Sequence, residues 1–225
     1  MTKAIGSCAR RSGNIAFTVQ NQALHSFGGQ RFQASVGSAY ASNIMAQATD
    51  NAWSLFGQHA NSKEKRQLTA VDLVVVDGVA GGGTVATSRT GRIELEARFI
   101  GAYPGDIKEE ITGILYREVA AVWQADGQGR ANAGILNGVA DVARIRAGHV
   151  PAGWVQAGAG NAWNQHGLGI TGRFFDYVDM KYQHFLASLN AGLTKATTGD
   201  DLFQKITGKS VEYLWTEYKA AYPAT

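Results

Sequence analysis

Cysteine is nearly absent from this chain: Cys8 is the only one among 225 residues. A lone thiol excludes an internal disulfide and any metal cluster built on cysteine. No apolar run approaches the ~20 residues that a membrane-spanning helix needs. Charge is sparse as well, at 17% of residues with a net of +3. That excess is too small for a nucleic-acid surface, and Arg10-Arg11 and Lys63-Glu64-Lys65-Arg66 read as solvated surface. The sequence also lacks an Asn-x-Ser/Thr acceptor, an internal repeat and a linker.

What it has is apolar content. At 45% hydrophobic over this length, the chain can bury a sizeable core. Residues 1–13 are expected to be disordered, and 14–225 to form a single domain. Ile15, Phe17 and Val19 alternate, which predicts a strand. Val36, Tyr40, Ile44, Ala48, Ala52 and Phe56 recur every fourth residue, predicting one helix over 31–58. The β-branched run 71–76 predicts a buried strand, followed by a flexible loop over 78–83. Gly81-Gly82-Gly83 lacks the Lys-Ser/Thr ending of a phosphate loop and reads as a connector. Ile93, Leu95, Ala97 and Phe99 predict a third strand.

The second half is helical. Asp106 and Glu109 form a capping box, and Ile111, Leu115, Val119 and Val122 make the buried stripe of the helix that follows. Further helices are expected over 135–147, 171–190, 200–206 and 210–221. The fold class is therefore α+β, with a small N-terminal sheet and a helical C-terminal half.

The run Leu115-Tyr116-Arg117-Glu118-Val119-Ala120-Ala121-Val122-Trp123 has the frame of the zinc-peptidase motif H-E-x-x-H. That motif needs two His at i and i+4 on one helical face to hold the metal. The Glu between them serves as general base on the bound water. Here Glu118 keeps the base position, but Arg117 and Ala121 stand where the His would. A guanidinium offers only donors and an alanine offers no ligating atom.

The order and spacing of several segments carry a resemblance. They are Gly105-Asp106-Ile107-Lys108-Glu109-Glu110-Ile111-Thr112-Gly113, Val122-Trp123-Gln124, Gly138-Val139-Ala140-Asp141, Arg173-Phe174-Phe175-Asp176-Tyr177 and Gly208-Lys209-Ser210-Val211-Glu212-Tyr213-Leu214-Trp215. Over residues 101–222 the chain resembles the plant basic secretory protein family, whose members are zinc metallopeptidases; residues 14–99 fit more loosely. The resemblance implies a metallopeptidase-like domain with a cleft between sheet and helices. The third strand would flank that cleft and could pair with an extended ligand. It further implies E-G-x-A-D where this chain has Asn137, Gly138, Ala140 and Asp141. The Glu would be the third zinc ligand and the Asp would orient the first His. All three implied ligand positions are changed, to Arg117, Ala121 and Asn137. A Tyr-Asp pair that the family carries after W-D-Q is also missing from Trp163-Asn164-Gln165-His166-Gly167-Leu168.

The expectation is a pseudopeptidase without metal or other cofactor, its former active-site cleft binding a small molecule or peptide. The alternative is metal-free acid/base chemistry on a small molecule, with Glu118 as base and Arg117 and Asn137 stabilising negative charge. Tyr116, Ala121, Asp141 and His166 are assigned to the ligand-binding wall, and no nucleic-acid or membrane partner is expected. Arg117 is expected to replace the zinc's charge by pairing with Glu118, Asp141 or both. Trp123 reads as core, His149 as an ordinary loop residue, and Arg173 with Asp176 as a structural helix pair. The family is secreted, yet the first residues show no apolar signal segment. The expectation is a chain trimmed of its leader or a cytoplasmic protein.

Overall fold

The computed structural model describes residues 10–12, 14–63, 65–79, 82–83, 85–87, 91–165, 167 and 169–223. Cys8, Gly81 and His166 lie outside them. The chain gathers into two compact units, residues up to 50 with 67–122, and 51–66 with 123–225. Each unit is assembled from two separated segments, which is why no linker is visible in the composition.

The first unit is built on a five-stranded sheet in the order β1-β2-β3-β5-β4. The strands are β1 (Arg10–Ser12), β2 (Ile15–Asn21), β3 (Ala70–Val76), β4 (Val85–Thr87) and β5 (Arg92–Glu96). β2, β3 and β5 are parallel, with Val19, Leu73 and Ile93 abreast. β1 and β4 close the two edges antiparallel. A central parallel strand is covered on both faces, so β3 is a nearly unbroken apolar run with Val71, Leu73, Val74 and Val75 buried. β2 keeps the alternation of a half-covered strand, burying Ile15, Phe17 and Val19.

The sheet corrects three expectations. Residues 10–12, read as part of a disordered terminus, pair along the outer edge of β2 as β1. The third strand ends at Glu96, because its partner β3 ends at Val76, opposite it. Ala97 and Phe99 belong instead to helix α3 (Ala97–Ala102), whose buried Ala97 and Ile100 fit a helical spacing equally well. Nor is β5 a free edge for an extended ligand, since β4 pairs with it over 93–95.

The helix expected over 31–58 is two helices, α1 (Phe27–Ser35) and α2 (Ser38–Leu55). Gly37 turns the chain between them at φ +72°, a conformation only glycine adopts freely. The amides of Val36 and Gly37 both donate to the Phe32 carbonyl. The buried stripe at 36, 44, 48, 52 and 56 survives the break. Ser26 caps α1, its hydroxyl accepting from the Gly29 amide at 3.1 Å. α1 lies directly on α3: a Cβ at Gly28 would fall 1.7 Å from the Ala97 carbonyl oxygen. Arg31 then reaches the end of α3, donating to the carbonyls of Ile100 (3.0 Å), Gly101 (3.2 Å), Tyr103 (2.6 Å) and Gly105 (3.2 Å). One guanidinium thereby satisfies two orphan acceptors of the α3 C-terminus, Ile100 and Gly101, and two carbonyls just beyond it.

α4 (Ile107–Trp123) starts where sequence placed it, with the Asp106 carboxylate accepting from the amides of Lys108 and Glu109. Its expected stripe of Ile111, Leu115, Val119 and Val122 is fully buried.

The second unit contains α5 (Ala133–Arg146), α6 (Ile170–Lys181), α7 (Phe185–Gly192), α8 (Leu202–Thr207) and α9 (Val211–Ala221). The single helix expected over 171–190 is broken between α6 and α7. His184 adopts φ +65°, and the Asp179 carboxylate accepts from the Leu186 amide at 2.8 Å to start α7. Phe174, Phe175, Phe185 and Phe203 meet in the core. The long segment between α5 and α6 is pinned to α9: the Gly158 amide donates to the Tyr218 hydroxyl at 2.8 Å, and Lys219 donates to the carbonyls of Gly158 and Gly160.

Two substitutions test these contacts by denaturant unfolding. Arg31→Met strands the carbonyls at the end of α3 and is expected to cost about 2–3 kcal/mol. Gly172→Ala puts a Cβ 2.5 Å from that of Asp141, between α5 and α6, and overpacking of this kind costs about 1–3 kcal/mol.

Candidate functional site

The residues singled out in sequence lie on two helices, one set in each unit. On α4, Arg117 and Ala121 are four residues apart and therefore share a face; both are half-buried. Glu118 is buried, its side chain only 8% exposed against 26% for Arg117. The Arg117 Nη1 donates to Glu118 Oε1 at 2.5 Å. Adjacent helical residues point in different directions, so this bond is made by the long arginine stem folding across to its neighbour. The Glu118 carboxylate is thus held by a permanent cation. Tyr116 is half-buried; burial first, and the neighbouring Tyr40 second, raise its pKa above the ordinary 10.0. Trp123 is core, packed edge-on against Trp53 at 5.0 Å.

In the second unit, Asn137 is half-buried and Asp141 is buried on α5. Their helix sits tightly against α6 because two glycines remove side chains from the contact. A Cβ at Gly138 would lie 2.5 Å from the Thr171 methyl and 2.9 Å from the Phe175 ring. Gly172 faces Asp141 in the same way. Trp163, from the segment between α5 and α6, stacks on Phe175 with ring centroids 6.3 Å apart and also meets Phe203.

A model of the family described as peptidase of plants and bacteria matches residues 12–218. The chain belongs to this peptidase family. No curated protein and no solved structure matches it. The family match fits the mixed α+β fold with a small parallel sheet and a helical remainder. No described helix is long and apolar enough to cross a membrane.

For this member of the peptidase family, the donor chemistry decides whether a catalytic zinc fits. Among the described residues no three His, Cys, Asp or Glu side chains form a group able to hold a metal ion. Arg117 offers donors only and Ala121 none, while Glu118 is engaged by Arg117. These residues do not fit the zinc that the resemblance implies.

Sequence reading missed several charged contacts of the second unit. Asp176 pairs with Arg146 at 2.7 Å, not with Arg173 as a helix pair, and Arg146 also holds Asp179 at 2.7 Å. Burial works to lower the Arg146 pKa, but hydrogen bonds and charge from the two carboxylates outweigh it and raise the value. The legible signal was the pair Asp176 and Asp179, three apart on one face of α6, which calls for a shared cation. Arg144, buried, donates to the His149 carbonyl at 2.8 Å and lies over the Trp154 ring.

Two outcomes follow from this geometry. Arg117→Ala leaves a buried carboxylate without its neighbouring cation and is expected to lower stability by about 1–3 kcal/mol, less than a fully buried pair because Arg117 is partly solvated. The cost should shrink in Arg117→Ala/Glu118→Gln, since an amide needs no countercharge; equal costs would show that the charge of Glu118 is irrelevant. For Tyr116, the folded chain keeps its phenolic proton where the unfolded chain loses it. Its contribution is therefore flat below pH 10 and destabilising as pH rises above it. Phenolate absorbance during a pH titration of the native protein should show a late-titrating tyrosine that Tyr116→Phe removes.

Proposed function

We propose that this protein is a pseudopeptidase: a peptidase-family chain that carries no catalytic zinc and hydrolyses no peptide, its former active-site region binding a small molecule or peptide instead. The observation that supports the reading most directly is the Arg117–Glu118 ion pair. In the family pattern, position 117 brings a metal ligand and Glu118 acts on metal-bound water. Here an arginine supplies positive charge to that same carboxylate without a metal. Ala121 and Asn137, at the other two ligand positions, complete the change: one offers no donor, the other only a neutral amide. Tyr116 and Ala121, both on α4 of the first unit, are the described residues proposed to contact the ligand.

The ion pair also weighs against the alternative, in which Glu118 serves as a metal-free base, because one of its carboxylate oxygens is already engaged by a guanidinium. The family supports a secreted protein.

Metal analysis of protein purified without chelator is expected to find no stoichiometric zinc, and peptide hydrolysis is expected to be absent and unaffected by added Zn²⁺. About one tightly held zinc per chain, with hydrolysis abolished by a chelator, would overturn the proposal. Binding is read separately, by backbone NMR with a mixture of short peptides. Perturbations centred on Tyr116, Arg117 and Ala121 are expected, and their absence at saturating peptide would remove the ligand-binding part.

A further inference from the structure

We infer that the first unit holds a second binding site, for a small amphipathic monocarboxylate, where β3 and β5 end. Parallel sheets bind ligands outside the carboxyl ends of their strands, where the chain turns away and leaves space. Here β3 passes from Val76 to Asp77 and β5 from Glu96 into α3. A cavity of about 480 Å³ opens at that point, within the range that takes small molecules. None of its lining residues belongs to α4 or α5.

The walls are apolar and made of small residues. Gly28 and Ala97 bring α1 and α3 into backbone contact, and Gly101 supplies no side chain to fill the space above them. Phe27 lies beside the cavity and is 71% exposed. A Cβ at Gly101 would sit 3.2 Å from its ring, so the ring rests across that glycine rather than inside a core. Leaving so much aromatic surface in water forfeits free energy that an apolar partner would recover.

Charge at the rim selects the rest of the ligand. Asp77 already has a neighbour, its Oδ2 lying 2.7 Å from His25 Nε2. Arg98 also lines the cavity and is exposed, and its guanidinium makes no ion pair or hydrogen bond among the described residues. Its planar fork matches a carboxylate with two parallel bonds. The N-terminus of α1 opens on the same cavity and adds to the preference for an anion. One negative charge satisfies this arrangement; a second would face Asp77. An ammonium in place of the carboxylate would face Arg98 instead. The ligand is therefore an apolar, ring-sized body carrying a single carboxylate.

The same chemistry is offered by a free aryl-alkanoic acid and by the C-terminal residue of a peptide. The test is a ¹H–¹⁵N NMR titration of the whole chain with 3-phenylpropionate, 3-phenylpropylammonium and N-acetyl-Ala-Ala-Phe bearing a free carboxylate. Saturable shifts are expected at the amides of Gly28, Ala97, Arg98 and Gly101 with both carboxylates. The ammonium and the Arg98→Gln variant should each bind about tenfold more weakly, the loss of a charge-assisted contact. Phe27→Ala should also weaken binding, and because both side chains are exposed the variants should fold as the parent does. Tighter binding of the peptide identifies a chain terminus as the source; tighter binding of 3-phenylpropionate identifies a free acid. The inference is overturned if those amides do not move at about 10 mM carboxylate, where a millimolar ligand nears saturation. It is equally overturned if the ammonium binds as well as the carboxylate, if Arg98→Gln changes nothing, or if the shifts centre on 116–121.

Discussion

Hydrogen bonding of β3 on both of its edges is the constraint from which the first unit follows. With β2 on one side and β5 on the other, the Ala70–Val76 run can be apolar on both faces, and it has to be covered on both. The end of β3 at Val76 also ends β5, since a strand without a partner would expose its backbone groups. The chain then turns into α3, whose first residue meets Gly28 of α1 and whose carbonyl end is closed by Arg31. The space left outside the strand ends, with Phe27 and Arg98 beside it, is a consequence of that geometry.

Close backbone approach plays the corresponding part in the second unit. Gly138 on α5 and Gly172 on α6 remove the side chains that would hold the helices apart, and Asp141 is buried at the contact. The aromatic cluster of Phe174, Phe175, Phe185 and Phe203 fills the space around α6. Trp163 ties the adjoining loop to it. The segment around Trp163 is therefore anchored on a packed core. Tyr218 and Lys219 hold its Gly158 backbone from α9.

The chemistry at 117 and 118 is a problem of compensating a buried charge. A carboxylate with 8% of its side chain exposed is costly without a cation, and a metal site would ordinarily supply one. Arginine does so without coordination geometry, without exchange and without generating a hydroxide. The pair sits on a helix that keeps its Asp106 cap and its buried stripe.

Much of this was determined by the sequence alone, because it is local. The alternation of Ile15, Phe17 and Val19, the apolar run of β3, the Asp106 cap and the buried stripe of α4 depend on neighbours within a few residues, and each stands where periodicity put it. The family, too, was legible in the order of its short motifs. Non-local contacts decided the rest. Nothing near Phe99 in sequence says that β3 stops opposite Glu96, so a strand pattern became a helix. The break at Gly37 was hidden because the buried stripe continues through it, and the break at His184 because Asp179, seven residues before Leu186, restarts the helix. Arg146, thirty residues from Asp176, could be assigned to it only once α5 and α6 were packed together. Sequence specifies which side chains want burial or a countercharge; only the folded chain decides which distant partner provides it, because that choice is made by packing.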